Sequence, residues 1–270
     1  MQLLLGMDHF VDKQFLPLFH EWNATTVDRS AMGAGWPTTC VLCGKDHVKT
    51  SVAHGDLMSR ITYAQLKVSC GKHEGLGLLM RLSDRVVCVS CNHIFVDYSL
   101  ECPIEAVSAN HPDIAFQLKP LTQIRQYQDD SETLPATDEI ILLEPCWNGN
   151  ILFDLSMLIS PEDWTDAPMN TMCICYGCND DGQMVWSDPI QIVAPVPVDY
   201  YQIKGEGLTE IQPGFSGGIY VGTDSQPRQI VGIHEGRFDE LKKARMIPWA
   251  SVQAAIKKVS ERGFNNGEST

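Results

Sequence analysis

Short apolar runs separated by turn-forming residues recur from residue 61 onward, and they constrain the fold more than any other feature. Each run has the length and composition of a β-strand. The runs are residues 61–68, 77–81, 85–89, 104–107, 114–118, 140–143, 171–176, 183–186, 190–193, 218–221 and 229–233. Such a series predicts an all-β architecture, either a barrel or a sandwich. The acidic stretch 129–139 interrupts the series, and we interpret it as a linker between two β halves.

Helical and irregular patterns flank the β series on both sides. Residues 1–23 have the apolar spacing of an amphipathic helix, and residues 24–60 contain helix-breaking glycine and proline. We therefore expect residues 1–60 to form an N-terminal extension, with a docking or regulatory role as one interpretation and stabilising packing as the other. Residues 247–263 predict a closing C-terminal helix that ends at a glycine, followed by a tail over 264–270.

The charge and the cysteine content narrow the class of protein. The formal net charge is −14, and a surface of that sign repels phosphate backbones and anionic membranes. The apolar start has no basic segment before it, so it is not interpreted as a signal peptide, and we expect a cytoplasmic protein. The ten cysteines should then remain reduced thiols. Alternation along a strand places Cys173 and Cys175 on one face, as core residues.

The strongest local motif is Gln-Pro-Gly-Phe-Ser-Gly-Gly at residues 212–218. Glycines on both sides of a serine permit a tight turn whose backbone N–H groups converge on one point. Acyl transfer requires a nucleophilic hydroxyl beside such donors, so Ser216 is a candidate nucleophile. The backbone amides of Gly214 and Ser216 are candidate oxyanion-hole donors. The alternative is a glycine-rich hairpin that carries a solvated serine.

A serine hydroxyl needs a base to remove its proton, and that base needs a third group to fix its tautomer. His93 follows the strand-like run 85–92, at its end. Asp113 opens another strand-like run, 113–118, twenty residues after His93. These positions predict His93 as the general base and Asp113 as the residue that orients it.

In these motifs the chain resembles the trypsin-like peptidases, the chymotrypsin-fold serine proteases, in their compact bacterial and viral form. That family has a Gly-x-Gly strand before the histidine, an Asp-Ile-Ala-x-x-x-Leu strand, Gly-x-Ser-Gly-Gly, Val-Gly-Ile and Ile-Pro in this order. The matching segments are residues 75–77, 113–118, 214–218, 231–233 and 247–248. The resemblance covers residues 61–263. It departs from the family in the short His-to-Asp spacing and in Phe215, where many members carry Asp or Asn.

The resemblance implies two six-stranded antiparallel β-barrels, over residues 61–128 and 140–246, with the active site between them. It further implies a serine endopeptidase that cleaves protein or peptide substrates through an acyl-enzyme and needs no cofactor, and the expected cytoplasmic location would make it an intracellular one. The second hypothesis is a protease-like module that binds peptides without turnover.

The same resemblance points to the residues of the S1 pocket, which receives the side chain before the scissile bond. They are Glu210, His234, Glu235 and Gly236. A carboxylate there would favour a basic side chain, whereas a histidine is typical of relatives that accept Glu or Gln. The sequence leaves this choice open.

Two further groups of residues carry alternative assignments. His54 lies in a Val-Ala-His-Gly segment that also resembles the family's histidine motif, but it precedes the first strand of the series. Cys40, Cys43, His47 and His54 have the residue types of a structural zinc site, with a longer histidine spacing than usual. The alternative is a surface loop with reduced thiols and no metal.

Overall fold

The computed structural model describes residues 56–83, 85–127, 134–147, 153–179, 181–196, 199–205, 216–224, 227–238 and 243–265. These residues form two antiparallel β-barrels followed by a helix. No helix among them is long and apolar enough to cross a membrane.

The first barrel closes through six strands in the order β1-β2-β3-β6-β5-β4. Its strands are β1 (Gln65–Cys70), β2 (His73–Arg81), β3 (Val86–Cys91), β4 (Ile104–Ser108), β5 (Ala115–Pro120) and β6 (Ile140–Cys146). Side chains alternate between the core and the exterior along β4, whereas β3 and the first half of β6 are almost continuously buried. This difference reflects the near-continuous apolar sequences of β3 and β6, which are packed on both faces.

The position of β6 corrects the predicted boundary between the barrels. Residues 140–143 pair with β3, through Cys91 with Ile140 and Cys88 with Leu143, so they complete the first barrel. The predicted second barrel over 140–246 therefore starts too early. The end of the predicted linker is a short helix, α2 (Ala136–Glu139), that leads directly into β6. The interruption in the strand series is a connection within the first barrel.

Within the described part of the chain, the second barrel contains seven strands, six of which close the barrel. Its strands are β7 (Met172–Cys178), β8 (Met184–Trp186), β9 (Ile190–Val196), β10 (Tyr200–Lys204), β11 (Ile219–Gly222), β12 (Ile230–Phe238) and β13 (Lys243–Pro248). The sheet order is β11-β12-β13-β10-β9-β7-β8, and pairing of β11 with β7 closes it. Strand β8 forms a hairpin with β7 outside the closed ring. The predicted architecture of two six-stranded barrels is confirmed.

Helices precede and follow the barrels. Helix α1 (Leu57–Ala64) occupies the start of the segment predicted as the first strand, so the strand begins only at Gln65. The C-terminal helix α3 (Trp249–Asn265) begins two residues later than predicted, because residues 247 and 248 still pair with β12. The indole of Trp249 stacks on Trp164 with ring centroids 4.9 Å apart.

The cysteines of the described residues are free thiols. Cys173 and Cys175, both on β7, are fully buried in the core of the second barrel, on the face that the alternation predicts. The predicted zinc residues Cys40, Cys43, His47 and His54 lie outside the described residues, as does most of the predicted extension 1–60.

A buried ion pair ties α1 to the segment that connects the two barrels. The guanidinium of Arg60 donates to both carboxylate oxygens of Asp163 at 2.7 Å and to the carbonyl oxygen of Leu158 at 2.7 Å. The Arg60 side chain is only 6% exposed. Removal of one partner from such a pair leaves an uncompensated buried charge.

We predict that Asp163→Asn lowers the free energy of unfolding by about 3 kcal/mol, because it removes the charge that compensates Arg60. Chemical denaturation with two spectroscopic probes measures the change. Glu261→Gln is the control, since Glu261 and Lys257 form an exposed pair at 3.9 Å whose loss should cost less than about 0.5 kcal/mol. Equal effects of the two substitutions would contradict the structural role of the Arg60 pair.

Candidate active site

Ser216 lies in a turn that is held between the two barrels. Its carbonyl oxygen accepts a hydrogen bond from the backbone N–H of Leu76 on β2 at 2.8 Å. The N–H of Gly217 donates to the carbonyl of His234 on β12 at 2.8 Å. These two bonds fix the serine backbone relative to both barrels.

Gly217 is required at its position for two reasons. Its φ of +94° belongs to a conformation that side chains with a Cβ rarely adopt. A Cβ added there would lie 1.8 Å from the carbonyl oxygen of Leu76, which cannot move freely because it accepts a hydrogen bond from the Ser90 hydroxyl. The glycine after the serine therefore lets the turn approach β2 closely.

His93 reaches the serine from the first barrel. It lies in a short 3-10 helix, Asn92–Phe95, that directly follows β3. The Nε2 atom of His93 is 2.7 Å from the Oγ atom of Ser216. The side-chain amide of Asn92 exchanges two hydrogen bonds of 2.8 Å with the backbone of Arg125, which fixes the start of this helix.

Glu139 is the carboxylate that contacts His93. Its Oε1 atom lies 2.5 Å from Nδ1 of His93 and accepts the backbone N–H of the same residue at 3.2 Å. The hydroxyl of Tyr127 donates to the other carboxylate oxygen. The register of the barrel explains this contact: Cys91 pairs with Ile140, so the residue before β6 meets the residues after β3. Glu139 is 1% exposed and accepts several donors, as a buried carboxylate requires.

The prediction that Asp113 orients His93 is wrong. Asp113 is exposed, in the turn before β5, where its charge acts on His111. Strand β5 runs antiparallel to β6, and Gln117 pairs with Cys146 at the C-terminal end of β6. His93 lies at the N-terminal end of β6, so the strand's length, roughly 20 Å, separates the two residues.

A sequence signal for Glu139 exists. The acidic residue stands directly before the apolar run Ile-Ile-Leu-Leu at 140–143, much as Asp113 stands before Ile114. Glu139 follows His93 by 46 residues, which removes the short spacing noted for Asp113. Glu139 is the last residue of the stretch 129–139 that the sequence predicts as a linker between barrels, whereas the structure places it directly before a strand of the first barrel.

The carboxylate sets the tautomer and the basicity of the imidazole. Because an ionised carboxylate only accepts hydrogen bonds, the proton of neutral His93 resides on Nδ1, and Nε2 can accept the serine proton. Burial lowers the pKa of His93, but the hydrogen bond and negative charge of Glu139, together with Glu235, outweigh it and raise the pKa overall. The neighbouring Arg245 acts in the opposite direction.

Only some of the residues predicted for the S1 pocket and the oxyanion hole lie in the part of the chain that the structure describes. Glu210 and Gly214 lie outside the described residues. The carbonyl oxygen of Glu235 lies 2.9 Å from the Ser216 hydroxyl, which is thus within reach of two acceptors. The carboxylate of Glu235 binds Arg245, at 2.6 Å from both Nε and a terminal guanidinium nitrogen.

His234 is buried, and its Nδ1 lies 2.6 Å from the hydroxyl of Tyr220. Gly236 follows on β12 and is half-buried. The structure thus places His234, Glu235 and Gly236 on the strand that runs beside the serine turn.

His93, Glu139 and Glu235 each offer a ligand atom, and these atoms lie within 4.8 Å of one another. The set has the donor types of a cation site. However, Glu235 already binds a guanidinium, and His93 bridges Glu139 and Ser216. Hydrogen bonds within the chain therefore occupy both carboxylates and both nitrogens of the imidazole, so we do not assign the cluster to a metal.

Comparison with solved structures supports the fold assignment. An inactive-form crystal structure of Rv3671c from M. tuberculosis, a serine-to-alanine mutant, matches with a TM-score of 0.51 and 14% identity, over 81% of this chain and 94% of that chain. The protease Anisep from Arthrobacter nicotinovorans matches with a TM-score of 0.52 and 12% identity, over 72% and 93%. The MamO protease domain from Magnetospirillum magneticum matches with a TM-score of 0.50 and 12% identity, over 73% and 97%.

No protein-family model matches the sequence, and no curated protein matches it either. The structural likeness therefore rests on the arrangement of strands. It shows that the chain has the chymotrypsin fold, the two-barrel architecture of trypsin-like serine proteases.

We predict that Gly217→Ala prevents the serine turn from packing against β2 and lowers the melting temperature strongly, since the new Cβ would overlap the Leu76 carbonyl. Gly236→Ala is the matched control for stability, because an added Cβ there meets no atom within 4 Å. Thermal unfolding of both variants tests this. A melting temperature for Gly217→Ala equal to that of the control would contradict the close approach.

Proposed function

We propose that the chain is a serine endopeptidase that cleaves protein or peptide substrates through an acyl-enzyme. The proposed catalytic residues are Ser216, His93 and Glu139. The observation that carries the proposal is the single imidazole that lies 2.7 Å from the Ser216 hydroxyl on one side and 2.5 Å from the Glu139 carboxylate on the other.

In the proposed reaction, Nε2 of His93 takes the hydroxyl proton as Ser216 Oγ forms a bond to the scissile carbonyl carbon. The tetrahedral intermediate collapses as the C–N bond breaks, and His93 returns the proton to the leaving amine. A water molecule then repeats the sequence: His93 takes its proton, the oxygen attacks the acyl carbon, and Ser216 recovers its proton as it departs.

The electrostatics of the site suit this role. Glu139 stabilises the charged imidazole that forms when His93 takes the proton, because its buried carboxylate is fixed by Tyr127 and by the His93 backbone. A raised pKa makes His93 a stronger base. The reaction needs neutral His93, so activity should fall as the pH drops through that raised pKa.

We predict that a fluorophosphonate probe labels the wild type at Ser216 and that Ser216→Ala and His93→Ala abolish the labelling. Glu139→Gln should slow the labelling by about three to four orders of magnitude, because the amide no longer fixes the productive tautomer. The rate of labelling, followed by mass spectrometry, measures each effect.

Asp113→Asn is the matched control, since it makes the same carboxylate-to-amide change at the exposed position and should label at the wild-type rate. If a folded wild type shows no labelling at all, the peptide-binding module without turnover is the better account. If Asp113→Asn slows labelling as much as Glu139→Gln, the assignment of Glu139 is wrong.

We propose in addition that the pocket selects Gln or Glu before the scissile bond. The carboxylate that would attract a basic side chain, Glu235, binds Arg245. Within the described part of β12, the other polar side chain predicted for the S1 pocket is His234, whose Nδ1 contacts the hydroxyl of Tyr220. An imidazole can donate to a side-chain carbonyl or carboxylate oxygen.

We predict that peptides with Gln or Glu at this position have a kcat/KM about a hundredfold or more above matched peptides with Lys or Arg. The His234→Leu variant should lose most of this preference, while its rate of fluorophosphonate labelling changes little. Preferred cleavage after Lys or Arg would contradict the assignment. The cytoplasmic location and a regulatory partner for residues 1–60 stay predictions.

A further inference from the structure

A second buried ion pair lies directly behind the proposed catalytic residues. Glu235 and Arg245 form a bidentate pair, with side chains 9% and 23% exposed. The proposed reaction assigns neither side chain a step. Burial of two charges is costly unless the geometry is favourable, so a pair of this kind calls for an explanation.

A β-bulge places Glu235 where it can act on the serine. Across strands β12 and β13, His234 pairs with Met246 and Gly236 pairs with Arg245, so Glu235 is the extra residue. Bulges of this type redirect a residue out of the regular alternation, and they are frequent beside active sites. Here the backbone carbonyl of Glu235 lies 2.9 Å from the Ser216 hydroxyl, and its side chain contacts Arg245.

Arg245 connects this bulge to the segment that leads to Glu139, the proposed catalytic residue farthest from the serine. Its guanidinium carbon lies 5.1 Å above the ring of Tyr200, within the range of a cation–π contact. The hydroxyl of Tyr200 donates to the carbonyl of Leu134 at 2.8 Å. Leu134 lies two residues before helix α2, whose last residue is Glu139. These contacts and one short chain segment therefore lead from Ser216 back to itself. In order, they pass through Glu235, Arg245, Tyr200, Leu134, Glu139 and His93.

The charged groups that act on His93 are Glu139, Glu235 and Arg245. The surrounding polar side chains stay neutral: burial raises the pKa of Tyr127, of Tyr200 and of the Cys91 thiol well above their usual values. On the outer side of α2, Asp138 pairs with Lys258 of α3 at 3.9 Å.

We propose that Glu235 and Arg245 are positioning residues, which fix the carbonyl that competes for the Ser216 hydroxyl and set the charge balance around His93. The proposal rests on the proposed protease function. It adds two residues, on β12 and β13, that act through the catalytic groups without contact with the scissile bond.

Opposite charges on the pair predict opposite effects on the imidazole. Glu235→Gln leaves Arg245 uncompensated and should stabilise neutral His93, which lowers its pKa. Arg245→Gln leaves Glu235 uncompensated and should stabilise the imidazolium, which raises the pKa. In the variant with both substitutions, the pKa of His93 should lie between the values of the two single variants. If the pair served stability alone, the pKa of His93 would not depend on which charge is removed.

The test is the acidic limb of the pH profile of kcat/KM, measured with a peptide substrate. We expect the limb of Glu235→Gln to lie at lower pH than that of Arg245→Gln. Arg245→Lys retains the charge but not the bidentate contact, so its limb should stay near the wild type while kcat falls about tenfold or more. Equal or reversed limbs for the two glutamine variants would overturn the proposal.

Asp163→Asn is the matched control, because it breaks a bidentate buried pair of similar geometry away from the proposed catalytic residues. It should lower the free energy of unfolding without moving the acidic limb of the kcat/KM profile. A shift of equal size in this variant would also overturn the proposal.

Titration of the His93 imidazole by NMR, in a Ser216→Ala background, separates this inference from the proposed function. We again expect a lower pKa of His93 in Glu235→Gln than in Arg245→Gln, and this measurement requires no turnover. If the wild type is inactive but the order holds, the protease proposal fails and only the effect of the Glu235–Arg245 pair on the His93 imidazole stands. If the wild type is active but the order is absent, only the positioning proposal fails.

Discussion

The arrangement depends on one imidazole that joins the two barrels. His93 belongs to the first barrel, yet its Nε2 contacts Ser216, which lies on the turn before β11 of the second barrel. The opposite ring nitrogen contacts Glu139, at the start of the strand that pairs with its own. Each group reaches this position because the barrel that carries it closes in a specific register. The site is therefore a consequence of strand pairing as much as of residue type.

The backbone contacts at the junction explain why a glycine follows the serine and why another lies opposite it on β2. The Leu76 amide and carbonyl both face residues of the serine turn, the amide as a donor to Ser216 and the carbonyl against Gly217. Gly75, next in line, would place a Cβ 2.9 Å from the Ser216 carbonyl. The close approach of the two backbones thus accounts for Gly75 of the Gly-x-Gly motif and for Gly217 of the Gly-x-Ser-Gly-Gly motif.

The sequence predicted the β class, and the histidine and serine that lie within hydrogen-bonding distance, from local patterns: short apolar runs, glycines around a serine, and a histidine at a strand end. The two barrels were implied by the resemblance to the trypsin-like peptidases, since the strand pattern alone allowed a barrel or a sandwich. The acidic partner depended on which strand completes the first barrel, and no local pattern distinguished residues 114–118 from 140–143. Both runs follow an acidic residue, and only pairing with β3 selects Glu139.

The role of Glu235 shows the same limit of sequence reasoning. As a pocket residue it suggested a basic substrate side chain, but its partner Arg245 lies on the neighbouring strand, paired across a bulge that the sequence does not reveal. A charge near an active site thus has no fixed meaning until its counter-ion is known. In this fold the counter-ion of Glu235 is Arg245 of the same chain, so the carboxylate does not by itself call for a basic substrate side chain.

The most direct test of the account is the low-field proton NMR signal of the hydrogen bond between Nδ1 of His93 and Glu139. We expect such a signal in the wild type and in Asp113→Asn, and its loss in His93→Ala and in Glu139→Ala. A folded wild type without the signal, or a signal that disappears with Asp113 and survives removal of Glu139, would contradict the central claim.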